Sequence, residues 1–139
     1  MLVVTQTMAL ANRIGDLLDQ KGMAHLRLDG KVPLKRRQQH VERFQSDDKD
    51  VRILLLTART AGVGLTLTRA THIYVMELLP PAMLKQVVGR VHRVSQRHHT
   101  TVHQFVLAES IEGRLRQAMT DSAFGKRRAF SSILRAGET

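Results

Sequence analysis

Gln86, Arg90, Arg93 and Gln96 recur at three- to four-residue intervals in the run Lys85-Gln86-Val87-Val88-Gly89-Arg90-Val91-His92-Arg93-Val94-Ser95-Gln96. Each arginine carries a planar fork of donors that fits phosphate oxygens in pairs. Pro80 and Pro81 stop the element before this run, and residues 82–88 hold no helix breaker, so a helix of one or two turns is expected there. Residues three and four apart share a helix face, so Gln86, Gly89 or Arg90, and Arg93 are expected on one stripe. Arg-x-x-Arg taken alone reads better as a solvated basic face. Two forks and one amide on a stripe, with a glycine among them, make a poor core face and a good phosphate-facing one.

Alternating elements must position this stripe. Leu2-Val3-Val4 reads as a buried strand, and Thr5 or Thr7 can cap the helix after it. Leu10, Ile14, Leu17 and Leu18 form the apolar stripe of that helix, which Lys21-Gly22 closes. Residues 25–28 alternate as a half-buried strand, and Asp29-Gly30 makes a turn. Pro33 suits the start of a second helix, with Leu34, Val41 and Phe44 inward and Lys35, Arg36 and Arg37 outward. After an acidic loop at 47–50, residues 51–56 are almost continuously apolar, the mark of a central parallel strand. A glycine-bearing loop at 57–68 leads to a strand at 72–76, and the Gln86 helix to another strand at 101–107. Ser110 then caps a helix bearing Ile111, Leu115 and Met119. Strand and helix alternate about five times, with connections too long for hairpins. The expected fold is α/β, with a mainly parallel central sheet and helices on both faces. In such sheets ligands sit beyond the carboxyl ends of the strands, where the glycine-bearing loop and the Gln86 helix both fall.

The chain of 139 residues is expected to make one domain large enough for its own core, helped by 42% hydrophobic content. With 22 Lys and Arg against 12 Asp and Glu the net charge is +10, which points to a polyanion, nucleic acid first. Aromatic content of 4% without tryptophan argues against a large base-stacking platform. There is no cysteine, so disulfides and thiolate zinc sites are excluded, which suits a reducing compartment. No apolar run reaches the roughly 18 residues of a membrane span, and the first residues lack signal-peptide character. His92, His98, His99 and His103 cluster in sequence without a carboxylate or thiol beside them, so no metal site is expected. No serine sits on a strand-to-helix elbow, which removes the usual nucleophile.

The Gln-x-x-Gly-Arg-x-x-Arg-x-x-Gln spacing resembles motif VI of superfamily-two helicase-like ATPases, and His92 with Gln96 resembles the Swi/Snf-type branch. The likeness extends to about Met119. Residues 2–6 resemble that branch's motif IV, and Leu26-Arg27-Leu28-Asp29-Gly30 with Arg37 and Phe44 its next segment. Residues 54–68 resemble motif V, and Val102-His103-Gln104-Phe105 with Ser110-Ile111-Glu112 the closing strand and helix. The Gly-Arg-Val-His-Arg run and the Val-His-Gln-Phe strand lean toward the RING-associated DNA-damage-tolerance group.

The resemblance implies the second RecA-like lobe, a three-layer sandwich, of an ATP-dependent double-stranded DNA translocase of the chromatin-remodelling or DNA-repair kind. The lobe would span residues 1–120, with 121–139 a loosely ordered basic extension. It implies Arg93 as the arginine finger, Arg90 as a second fork and Gln86 orienting phosphate or attacking water, with Gly64 also on the nucleotide side. It places Thr57, Arg59 and Gly62, with Lys35 and Arg36, against DNA phosphates. A solvated helix face accounts better for most of Lys35, Arg36 and Arg37, and a tight turn is the lesser alternative for Gly62 and Gly64. ATP and Mg²⁺ would be shared with an N-terminal RecA-like lobe, because this chain has no Gly-x-x-x-x-Gly-Lys-Ser/Thr loop and no Asp-Glu magnesium box. The chain alone is therefore expected to be inactive, monomeric, and nuclear in a eukaryote or cytoplasmic otherwise.

The chain departs from the family in places. Thr60-Ala61-Gly62-Val63-Gly64-Leu65-Thr66 lacks one motif V glycine and an asparagine, and Leu79-Pro80-Pro81 stands where the family has Trp-Asn-Pro. Ser95 replaces a glycine. A worn motif V leaves room for an alternative, a catalytically degenerate basic DNA-binding or protein-interaction module.

Overall fold

Leucine and β-branched runs pair side by side into one five-stranded sheet in the computed structural model, which describes residues 1–46, 49–62, 64–106 and 110–124, the last seven by backbone only. The strands are β1 (Leu2–Thr5), β2 (His25–Leu28), β3 (Ile53–Thr57), β4 (His72–Val75) and β5 (Thr101–Gln104). Their order is β2-β3-β1-β4-β5, and all four pairings are parallel. Every residue of β1 and β3 is buried, as unbroken apolar sequence requires of strands covered on both faces.

The helices are α1 (Met8–Gln20), α2 (Leu34–Gln45), a short α3 (Ala58–Ala61) and α4 (Pro81–Val91). Strand alternation sorts them into layers. Leu2, Val4, Leu54, Leu56, Ile73 and Val75 point to one face, where Phe44 of α2, Ala58 and Ala61 of α3, and Val87 and Val91 of α4 cover them. Val3, Ile53 and Leu55 point to the other, against Ile14 and Leu18 of α1. Helices on both faces of a parallel sheet give the three-layer arrangement expected from the pattern, the layering that the resemblance implies for a RecA-like lobe.

Three local expectations change. Leu17 is 52% exposed, because α1 meets the sheet through buried Ala11 and Gly15 instead. A Cβ on Gly15 would stand 3.2 Å from the Arg27 guanidinium and 3.8 Å from Leu55, so only a small residue allows that approach. Leu34 is 75% exposed in the first turn of α2, whose inward positions are Val41 and Phe44. The glycine-bearing loop opens as a helix, since residues 58–61 form α3.

Side chains tie the strand ends to neighbouring elements. Thr7 caps α1 by accepting from the Leu10 N–H at 3.4 Å. Glu77, just past β4, accepts from the Gln6 and Thr7 amides and from the Thr7 hydroxyl. Asp29 is 4% exposed and takes the Arg27 guanidinium at 2.9 Å and the Lys31 amide at 2.9 Å. Arg27 also donates to Asn12 at 2.8 Å, which joins β2 to α1.

The chain divides into two units, Met1–Phe105 and Val106–Thr139. In the second, α5 (Ile111–Phe124) is capped by Ser110, whose hydroxyl accepts from the Gly113 N–H at 3.3 Å. Asp47, Asp48, Val63, Leu107, the basic stretch from residue 125 and the side chain of Met119 lie outside the described residues.

Candidate nucleotide and nucleic-acid interface

Residues 57–68 leave the carboxyl end of β3, and α4 comes after the carboxyl end of β4. These strands flank β1 on either side, so both segments share one edge of the sheet. Val87 and Val91 are buried, so α4 turns Gln86 outward and leaves Arg90 half-buried over α3.

Arg90 donates from Nε to the Ala61 carbonyl and from Nη2 to the Gly62 carbonyl, both at 2.8 Å. Arg93 donates from Nη2 to the Leu65 carbonyl at 3.2 Å. Gln96 donates from Nε2 to the carbonyls of Thr68 at 2.8 Å and Ala70 at 3.0 Å, and its Oε1 accepts from the His98 amide. The three side chains meet successive carbonyls of the loop in chain order. The Arg90 carbonyl, left open near the end of α4, accepts from the Leu67 N–H at 2.9 Å.

One expectation fails here. Arg93 is not on the helix with Gln86 and Arg90, because α4 ends at Val91 and His92 leaves it with ψ 83°. A turn closed by the Gln96 N–H on the Arg93 carbonyl, at 2.8 Å, carries Arg93 instead. Helical periodicity predicts the three-residue step. It does not predict that the step continues into a turn.

Gln86 is exposed, and its Oε1 lies 3.7 Å from where a Cβ on Gly62 would stand. That Cβ would also stand 3.2 Å from the Arg59 carbonyl, so Gly62 is needed for a close approach rather than for a positive φ. Gly64 has φ +37°. Arg59, Lys35 and Arg36 are exposed. Arg37 is not part of their surface: its Nε donates to Val32 at 2.7 Å and its Nη2 to Gly30 at 3.3 Å, which braces the turn before α2. Thr57 is 5% exposed and its hydroxyl pairs with that of Thr60 at 2.9 Å, so its side chain lies beneath the loop.

Thr57→Val is expected to leave the Thr60 hydroxyl buried without its partner, at a cost of about 1–2 kcal/mol of unfolding free energy by denaturant titration. A variant as stable as the parent contradicts the pairing.

Sequence reading missed Gln45. Its Nε2 donates to the Thr68 hydroxyl at 3.2 Å, and its Oε1 accepts from the Arg69 amide at 3.0 Å, tying α2 to the same loop. No local spacing announces a contact between residues so far apart in the chain. Among the described residues no group of three or more His, Cys, Asp and Glu could hold a metal ion, and no helix is long and apolar enough to cross a membrane.

A parallel sheet of this order with helices on both faces, and Arg90 and Arg93 set against the glycine-bearing loop, is a RecA-like α/β lobe in its fold. Residues 1–95 match the helicase conserved C-terminal domain. Human DNA excision repair protein ERCC-6-like is 35% identical over 125 residues, which is 87% of this chain and 10% of that protein. Transcription termination factor 2 of Drosophila melanogaster is 32% identical over 83% of this chain and 11% of that protein. Helicase SWR1 of Candida glabrata is 33% identical over 99% of this chain and 9% of that protein. The chain thus spans about a tenth of the length of these relatives. The crystal structure of the C-terminal part of the Fun30 ATPase domain superposes with a TM-score of 0.80 at 24% identity, over 96% of this chain and 41% of that one. The chain belongs to the helicase conserved C-terminal domain family, and its relatives are Swi/Snf-type ATPases.

Proposed function

We propose that this chain is the second lobe of an ATP-dependent double-stranded DNA translocase, bringing an arginine finger to ATP held by another lobe. The observation that supports it best is Arg93, exposed just past the end of α4 and held, among the described residues, by one side-chain contact, 3.2 Å to the Leu65 carbonyl. Exposed Gln86 sits on α4 of the same segment. These donors suit part of a nucleotide site only: they offer positive charge and an amide to the γ-phosphate. ATP with Mg²⁺ would supply the phosphoryl group and its metal, both gripped by an N-terminal RecA-like lobe. Arg93 then stabilises charge on the phosphoryl oxygens, and Gln86 orients the γ-phosphate or the attacking water. Arg90 spends two donors on Ala61 and Gly62, so it is better placed to seat its helix than to act as a second fork.

Duplex phosphates are the proposed partner of the other surface. Arg59, Lys35 and Arg36 supply the exposed donors, exposed Gly62 and Gly64, whose N–H groups donate to the Arg59 and Gly62 carbonyls, let a phosphate come close, and Thr57 shapes the loop from below. The relatives' names speak of repair and transcription termination, which suits work on duplex DNA in a nucleus. The lobe is proposed to run over residues 1–120 and to act as a monomer, with 121–139 a basic extension.

Two measurements test this. The purified chain alone is expected to release no phosphate from ATP, with or without duplex DNA. DNA-stimulated turnover abolished by a substitution within the chain contradicts that. The chain is also expected to bind duplexes of any sequence, with affinity falling steeply as salt rises. Salt-independent binding, or strong preference among sequences, contradicts the phosphate reading and favours a protein-interaction module.

A further inference from the structure

Among the described residues between α3 and β4, Gly62 and 64–71, there is no helix or strand, yet Leu67 and Ala70 are fully buried. A loop without a ladder of its own must satisfy its carbonyls elsewhere. Here four of them, from Gly62, Leu65, Thr68 and Ala70, together with that of Ala61 at the end of α3, are taken by Arg90, Arg93 and Gln96 in chain order. The Arg-x-x-Arg-x-x-Gln spacing therefore matches the step of the loop beside it.

We infer that Arg90 and Gln96 are positioning residues that hold the glycine-bearing loop in its DNA-facing shape, and that the Arg93 contact between them is the exchangeable one. This rests on the reading of Arg93 as a finger and of the loop as a DNA surface. The three anchors differ in kind. Arg90 is half-buried and makes two bonds at 2.8 Å, while Gln96 is half-buried and makes bonds at 2.8 and 3.0 Å. Arg93 is exposed and, among the described residues, makes one at 3.2 Å. An exposed single bond gives little net stability and is lost readily to a charged competitor. When a phosphate takes the Arg93 fork, the Leu65 carbonyl is released while the bonds at either end stay. Only the middle of the loop loosens. Nucleotide and DNA would then each alter affinity for the other by the same factor, as linkage requires.

Gln96→Met tests the fixed end, since methionine keeps the length and loses the donor. In the chain alone, amide exchange at 64–70 is expected to quicken about fivefold to thirtyfold, the effect of losing one or two such bonds, with β1 and β3 unchanged. Duplex affinity by anisotropy is expected to fall about threefold to tenfold, within the range of a positioning effect. In a two-lobed assembly the DNA concentration for half-maximal ATPase is expected to rise by the same factor, with kcat at saturating DNA unchanged. Native exchange and native duplex affinity in a folded Gln96→Met chain overturn the inference. If that chain melts early, Arg90→Lys, which keeps the charge and loses the paired bonds, is read instead: the same exchange and affinity changes uphold the inference, and their absence overturns it. A parental two-lobed assembly without DNA-stimulated hydrolysis is a different failure. It removes the proposed function and leaves the exchange result standing.

Discussion

Arg93→Lys, in an assembly of this lobe with one carrying a phosphate loop, is expected to lower kcat for ATP hydrolysis by about 30- to 1000-fold. That is about 2–4 kcal/mol, the loss typical of one preorganised donor aimed at developing charge. Lysine keeps the positive charge and loses the planar fork, so a solvated site would scarcely notice the change. Duplex affinity is expected to stay close to the parental value, because the Leu65 carbonyl can still accept from an ammonium. A fall in kcat with little change in DNA affinity marks a group used in the transition state. Hydrolysis at the parental rate under saturating ATP and DNA removes the finger assignment, and a binding module becomes the better account.

The second large effect is on stability. Asp29 is 4% exposed, and its carboxylate takes both the Arg27 guanidinium and the Lys31 amide. Asp29→Ala is expected to cost about 3 kcal/mol of unfolding free energy, near the lower end for removing one member of a buried pair. The cost sits at that end because the Arg27 side chain is 28% exposed and keeps Asn12 as a partner. Denaturant titration reads it directly. A loss below about 1 kcal/mol would place the pair among surface contacts. Asp29→Asn keeps the acceptor toward Lys31 and is expected to recover part of the loss.

The sheet is legible in the residues because burial on two faces imposes unbroken apolar runs, and residues 51–56 are such a run. The N-terminal cap at Thr7 and the turn at Gly22 obey local rules and are equally legible. The stripe on α1 is misjudged from sequence because the pattern counts hydrophobic residues. It does not record that Gly15 lets the helix drop so close that Ala11 takes the inner place and Leu17 the outer. The spacing of Gln86, Arg90, Arg93 and Gln96 is visible, and the expectation that the first three face phosphate comes from helical geometry alone. Periodicity does not supply the partner lying alongside, a loop whose carbonyls need donors. Gln45 and Glu77 stay hidden for the same reason. Their partners, Thr68 and Arg69 in one case and Gln6 and Thr7 in the other, come beside them only after the sheet has formed.

The proposed lobe and its partner lobe need each other, and that dependence is open to one direct measurement. Phosphate release from ATP is monitored with duplex DNA present for a phosphate-loop lobe alone, this chain alone, and the two joined. The account predicts negligible turnover from either alone, DNA-stimulated turnover when joined, and loss of that turnover with Arg93→Lys. Turnover by this chain alone, or a joined assembly no faster than the phosphate-loop lobe by itself, would contradict it.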